Sequence, residues 1–169
     1  MASQLRVDKI VPVDGAPTGG GGGIIQIKQT FLDTATSTTT SGSFTDISGM
    51  SVSITPKFNT SKIFVMITLG SISSAAGISV GFRLLRDSTA VGNAADTTLQ
   101  SGFTNIYDGG DASLFSASHN FLDSPATTSA ITYKLQWRNS SGTTYLNRYS
   151  GSSDSYNGSS TITVMEVSA

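Results

Sequence analysis

Cysteine is absent from the chain, which excludes disulfides, thiolate nucleophiles and cysteine-ligated zinc or iron–sulfur centres. Histidine, tryptophan and glutamate occur once each, as His119, Trp137 and Glu166. Charge is scarce as well: 12% of residues are Asp, Glu, Lys or Arg, against the usual ~25%. The formal net charge is -1, and the ten basic residues are scattered over the whole length. No cationic stripe can displace counterions from a phosphate backbone, so nucleic acid is not an expected partner. Apolar runs reach only a few residues, as from Ile63 to Ile67, where a spanning helix needs ~20. A soluble protein without membrane insertion is expected. The opening MASQLRVDKI has Asp8 among its basic residues and no apolar stretch, so it does not read as a secretory signal.

What the chain has in abundance is hydroxyl and glycine: 28 Ser, 22 Thr and 18 Gly among 169 residues. A neutral, hydroxylated surface follows. The length suits one domain with a short appendage, and the sequence divides at a glycine run. Residues 1–23 end in DGAPTGGGGG, which reads as a flexible connector or a close backbone passage. Ahead of it Leu5, Val7, Ile10, Val11 and Val13 supply apolar side chains that so short a segment cannot bury alone. This segment is expected to be an arm that orders on a neighbouring subunit or another protein.

Residues 24–169 have a period of two, which puts alternate side chains on opposite faces of a strand. Ile25, Ile27, Gln29 and Phe31 share one parity. ITYKLQWR alternates cleanly, with Ile131, Tyr133, Leu135 and Trp137 on the core side. In KIFVMITLG both parities are apolar, as in a strand covered on both faces. Strands are predicted over 44–47, 50–55, 62–69, 79–86, 97–104, 112–122, 130–138, 143–148 and 160–167, with 34–43 a loop or edge. The breakers PKFNTS, YDGGD, LDSPATTS, NSSG and YSGSSDSYNGSS are turn-rich. About ten short strands with no helical period predict an all-β antiparallel sandwich or jelly roll.

Reactive constellations are few. His119 has serines near it, but no G-x-S-x-G elbow accompanies it, and it reads as a strand or loop histidine. The glycine run is followed by neither Lys-Ser nor Lys-Thr, so no phosphate loop is present. Asp108, Asp111, Asp123 and Asp154 could converge on calcium, yet they lack the D-x-D-x-D-G series and read as turn formers. No catalytic residue, metal ligand or cofactor is assigned. Asn59, Asn139 and Asn157 lie in N-x-S sequons, which a serine-rich chain supplies by chance. Asp87 is expected to start a turn, with Arg83 and Arg86 on opposite parities before it. The best binding candidate is the loop over 149–158, YSGSSDSYNG, where Tyr149, Tyr156 and Asn157 stand among Ser and Gly as in adaptable recognition loops. Tyr107, in a similar Gly- and Asp-rich setting, joins them.

Several segments together carry a resemblance: SQLRVDKIVPVDGAPTGGGGGIIQI, ISGMSVSITPKFNTSKIFVMI, GFRLLRDSTAVG, FLDSPATTSAITYKLQW, TTYLNR and SSTITVMEV. Over nearly its whole length the chain resembles small virion structural proteins of marine bacteriophages, especially cyanophages, of the tail-fibre-like or capsid-associated kind. The resemblance implies a non-enzymatic protein on the virion exterior, made in the host cytoplasm, with Leu5, Val7, Asp8 and Ile10 in the attachment segment. The strand order is also similar to the trimeric jelly-roll heads of the tumour-necrosis-factor and complement type. That likeness implies a homotrimer, with Phe64, Met66, Phe82 and Leu84 hidden at its axis. Partners would be tail or major capsid proteins and a host surface glycan. A short fibre or adhesin is the first expectation and a capsid decoration protein the second. A polysaccharide-cleaving tailspike would need paired carboxylates in a groove lined by Trp137 or tyrosines, which so few acids disfavour.

Overall fold

A computed structural model describes residues 23–39, 42–75, 77–95, 102–109, 113–151 and 157–168. The arm residues Leu5, Val7, Asp8, Ile10, Val11 and Val13 lie outside them, as do Tyr156, Asp111 and Asp154. Eleven strands are described: β1 Ile24–Leu32, β2 Thr36–Thr38, β3 Thr45–Ile54, β4 Lys62–Ser74, β5 Ile78–Arg86, β6 Thr89–Ala90, β7 Thr104–Asp108, β8 Phe115–Asp123, β9 Ile131–Asn139, β10 Thr144–Leu146 and β11 Ser160–Val167. No helix among the described residues is long and apolar enough to cross a membrane.

All pairings are antiparallel, and the strands form two sheets. The first runs β1-β11-β4-β8, with β2 and β10 continuing the lines of β1 and β11 at one end. The second runs β3-β9-β5, with β7 and β6 sharing the far edge of β5. Alternate side chains of each sheet meet in one core. Ile63, Val65, Ile67 and Leu69 of β4 and Ile162 and Val164 of β11 face Phe82 and Leu84 of β5 and Tyr133, Leu135 and Trp137 of β9. Burying each such side chain contributes about 1.5–3 kcal/mol.

The period-two segments lie where alternation puts them, and β9 reproduces the expected inward set. Other expectations change. The segments over 44–47 and 50–55 belong to one strand, β3, whose pairing with β9 shifts register between Asp46 and Ser51. Gly49, at φ +80°, sits in that irregularity. Part of the Ser/Thr run, expected as a loop or edge, is the short edge strand β2. Of the predicted strand over 97–104, residues 97–101 lie outside the described set, and the strand found there is β7. Phe82 and Leu84 are wholly buried in the chain's own core rather than kept for a subunit axis. Their parity on β5 points between the sheets, whereas Arg83 points out.

Candidate functional site

Register fixes which loops share an end of the sandwich. β1 follows Gly23, whose carbonyl accepts from Ser168 N and whose own N–H donates to Ser168 Oγ. Beside it lie the start of β4 and the end of β8. At this end Asp123 of β8 ties the sheets together. Its Oδ2 accepts from Arg86 Nη1 of β5 and from the Tyr133 hydroxyl of β9, both at 2.6 Å, and its Oδ1 accepts from Ser124 N. Burial, and then the hydrogen bond to this carboxylate, push the Tyr133 phenol far above the ordinary tyrosine range. Burial alone would lower Arg86, but the Asp123 contacts outweigh it and raise the guanidinium further. Asp87 behaves as expected: at φ +53° it turns the chain, and its Oδ1 accepts from Thr132 N.

The opposite end carries the candidate recognition residues. Tyr107, 65% exposed, pairs with Ser79 at the start of β5. Tyr149 follows β10 and Asn157 precedes β11. Both rings lie against glycine: a Cβ on Gly109 would stand 3.0 Å from Tyr107 Cε1, and one on Gly151 would stand 2.6 Å from Tyr149 Cε1. Asn147 organises the base of the 147–159 connection. It is buried at φ +64°, and its Nδ2 donates to the carbonyls of Leu32 and Thr34. Ser160 Oγ donates to its Oδ1, and Gly158 N to its carbonyl. Ser150 is held too, its N–H on Ser73 Oγ and its hydroxyl on the Ser74 carbonyl. Sequence reasoning singled out the tyrosines as candidates and passed over Asn147, because an asparagine in TTYLNR gives no periodic signal.

The other singled-out groups disperse. Asp108 and Asp123 sit at opposite ends, and Asp108 is occupied by Ser113 N. No group of three potential metal ligands occurs among the described residues. His119 lies on the inward side of β8, stacked on Phe103 at 4.7 Å. Trp137 is 2% exposed, so it lines no groove. Glu166 is fully buried between the edges of the two sheets, where Oε2 accepts from Gln26 Nε2 and Oε1 from the backbone N–H of Lys57 and Phe58. Gln26 also donates to the Thr55 carbonyl, and both residues line an open cleft of about 370 Å³ together with Lys28, Ser53 and Lys57.

The two outer faces of the sandwich differ in chemistry. On the β3-β9-β5 side, Asp46 accepts from Lys134 Nζ and Gln136 Nε2, and Gln136 in turn accepts from Arg83, whose guanidinium covers the Phe44 ring at 4.3 Å. Lys134, and next to it Gln136, hold the Asp46 carboxyl below the usual carboxylate range. This face is wet. On the β1-β11-β4-β8 side, Ile27 pairs with Met165, Met165 with Phe64, and Phe64 with Leu122. Four apolar side chains thus form one stripe across four strands. Ile27 is 53% exposed, Leu122 49%, and Phe31 and Met66 beside them 58% and 37%. The shared parity of Ile27 and Phe31 was visible in the sequence, but which side faces out was not.

No protein-family model matches the chain, and no curated protein does. Solved structures similar to it include a mutant VP2 protein of infectious bursal disease virus (13% identity, TM-score 0.42, over 98% of this chain and 41% of that one). The Gx strain of the same virus (15%, 0.42, over 97% and 45%) and its VP2 subviral particle (15%, 0.39, over 86% and 38%) are others. The chain spans about two-fifths of the length of these proteins. Similarity at this level assigns neither function nor partner.

Proposed function

We propose that this chain is a non-enzymatic structural protein on the exterior of a bacteriophage particle, a short tail-fibre or adhesin that works by binding and shape. Its head is read as a jelly roll. The order β1-β11-β4-β8 against β3-β9-β5-β7, with successive long strands changing sheets, supports two interlocked Greek keys. Residues 1–23 are the attachment arm to a tail or capsid protein, and three chains form the unit. Three arms would multiply weak contacts through effective concentration. The observation that carries the reading is the polarity of the sandwich: the chain enters at Gly23 at one end, and Tyr107, Tyr149 and Asn157 lie at the other. An anchored end and a presenting end are what a surface protein needs, and tyrosines packed on glycines suit a host glycan. The sequence resemblance to cyanophage virion proteins supplies the setting.

Quantitative mass spectrometry of purified particles tests this. A few to tens of copies are expected, and absence from particles would end the virion assignment. Hundreds of copies would make the chain a capsid decoration protein instead. Deleting residues 1–22, which leaves the Gly23 pairing intact, should give a folded head that no longer joins particles. Retained incorporation would remove the arm from the account. Host envelope polysaccharide incubated with the protein should release no reducing ends, and released sugar would overturn the non-enzymatic reading.

A further inference from the structure

The apolar stripe on β1-β11-β4-β8 has no counterpart on the opposite face. Three successive cross-strand rows stand there: Ile27, Met165, Phe64 and Leu122; Gln29, Thr163, Met66 and Asn120; Phe31, Thr161, Thr68 and Ser118. None of these twelve positions is charged, in a molecule whose other sheet face carries Asp46, Arg83, Lys134 and Arg138. A β-sandwich needs only its inner faces dry, and an outer face this apolar is expected to be covered. We propose that the outer face of β1-β11-β4-β8 is the surface through which copies of this chain associate with one another.

Charge and area favour a second copy as the occupant. The three rows carry no charge, with Lys62 at their margin two residues before Phe64, so they meet no like-charge repulsion from their own duplicate, whereas a polyanion or an acidic peptide would find only that lysine to pair with. Four strands spaced about 4.8 Å apart, over some seven residues of rise, make a face of roughly 450 Å². Three such faces turned to one axis, each shared between two neighbours, bring together roughly 1,350 Å² in the whole unit. The make-up is that of an interface, with Phe64, Met66, Met165 and Leu122 inside and a hydroxyl and amide rim of Thr68, Ser118, Asn120 and Gln29 around them. The inference deepens the multimeric part of the reading above by naming its surface.

The test is the mass of the full-length protein in solution, by light scattering on a sizing column at up to about 100 µM, for the wild type, Leu122→Asp, Leu122→Ser and Ser53→Asp. Leu122 is half-exposed, so both changes there should keep the circular dichroism and melting profile of the wild type. Leu122→Ser is the milder change if aspartate perturbs β8. The wild type and Ser53→Asp, which alters the wet face, should run as the same multiple of the chain mass. The Leu122 variants should dissociate at least tenfold more readily. A monomeric wild type, or folded Leu122 variants that assemble as the wild type does, would overturn the inference. Either result leaves the virion assignment to the particle measurement, so the two readings fail separately.

Discussion

Removing one hydroxyl, by Tyr133→Phe, probes the clasp that joins the sheets at the Gly23 end. In the folded chain the phenol is buried and donates to Asp123 Oδ2 at 2.6 Å, next to Arg86. A hydrogen bond to a charged acceptor contributes about 1.5–3 kcal/mol. Asp123 keeps Arg86 and Ser124 N in the variant, so no carboxylate oxygen is stranded and the loss at neutral pH should be about 1.5–2 kcal/mol. Alkali changes the balance. Because the folded-state pKa is raised above the unfolded value of about 10, the stability that the neutral phenol confers is complete below that pH and lost above it, at about 1.4 kcal/mol per pH unit. Phenylalanine has no such slope. Wild type and variant should therefore converge in stability between about pH 11 and 12. Urea unfolding from pH 8 upward reads this through the fluorescence of Trp137, the single tryptophan, which unfolding would expose. Lysines and the other tyrosines cancel in the difference between the two proteins. A gap that stays constant through pH 11.5 would show that Tyr133 is not held neutral by burial and Asp123.

Asn147→Ala should cost about 2–4 kcal/mol, since it removes two carbonyl bonds and the Ser160 bond and leaves alanine at positive φ. Thermal melting and faster amide exchange at 147–151 would register it, and a loss under about 1 kcal/mol would discount Asn147 as the organiser of that connection. Gly70→Ala should destabilise far more than Gly77→Ala. A Cβ at Gly70 collides with the Ser159 carbonyl, while Gly77 has open space and only its φ of +78° to oppose the change; equal melting temperatures would contradict this. Asp46→Asn should shift stability by at most about 0.5 kcal/mol, because its pair with Lys134 is solvent-exposed. The lowered Asp46 pKa means that this small gain is present above about pH 4 and disappears as pH falls further. An effect that survives high salt would argue against a surface ion pair.

The sequence by itself determined the fold class and the inward set of β9, because alternation is a local consequence of the pleat and ITYKLQWR has one way to satisfy it. It also marked the turns at Asp87 and after Asn139, where Asn139 Nδ2 donates to the carbonyls of Ser141 and Gly142. Both parities of KIFVMITLG look apolar, and GFRLLR carries an arginine on each parity, so neither segment shows which side is inward. Only strand pairing decided that Phe82 and Leu84 close the core while Phe64 and Met66 face outward beside Leu122 and Ile27. The same holds for Asp123, a turn acid in FLDSP until Arg86 and Tyr133 arrive from the other sheet, and for Glu166, whose partners Gln26 and Lys57 come from distant segments. Periodicity is written in neighbouring residues. Which face is covered, and which end a loop occupies, depends on contacts between strands far apart in the chain, and those exist only once the sheets are paired.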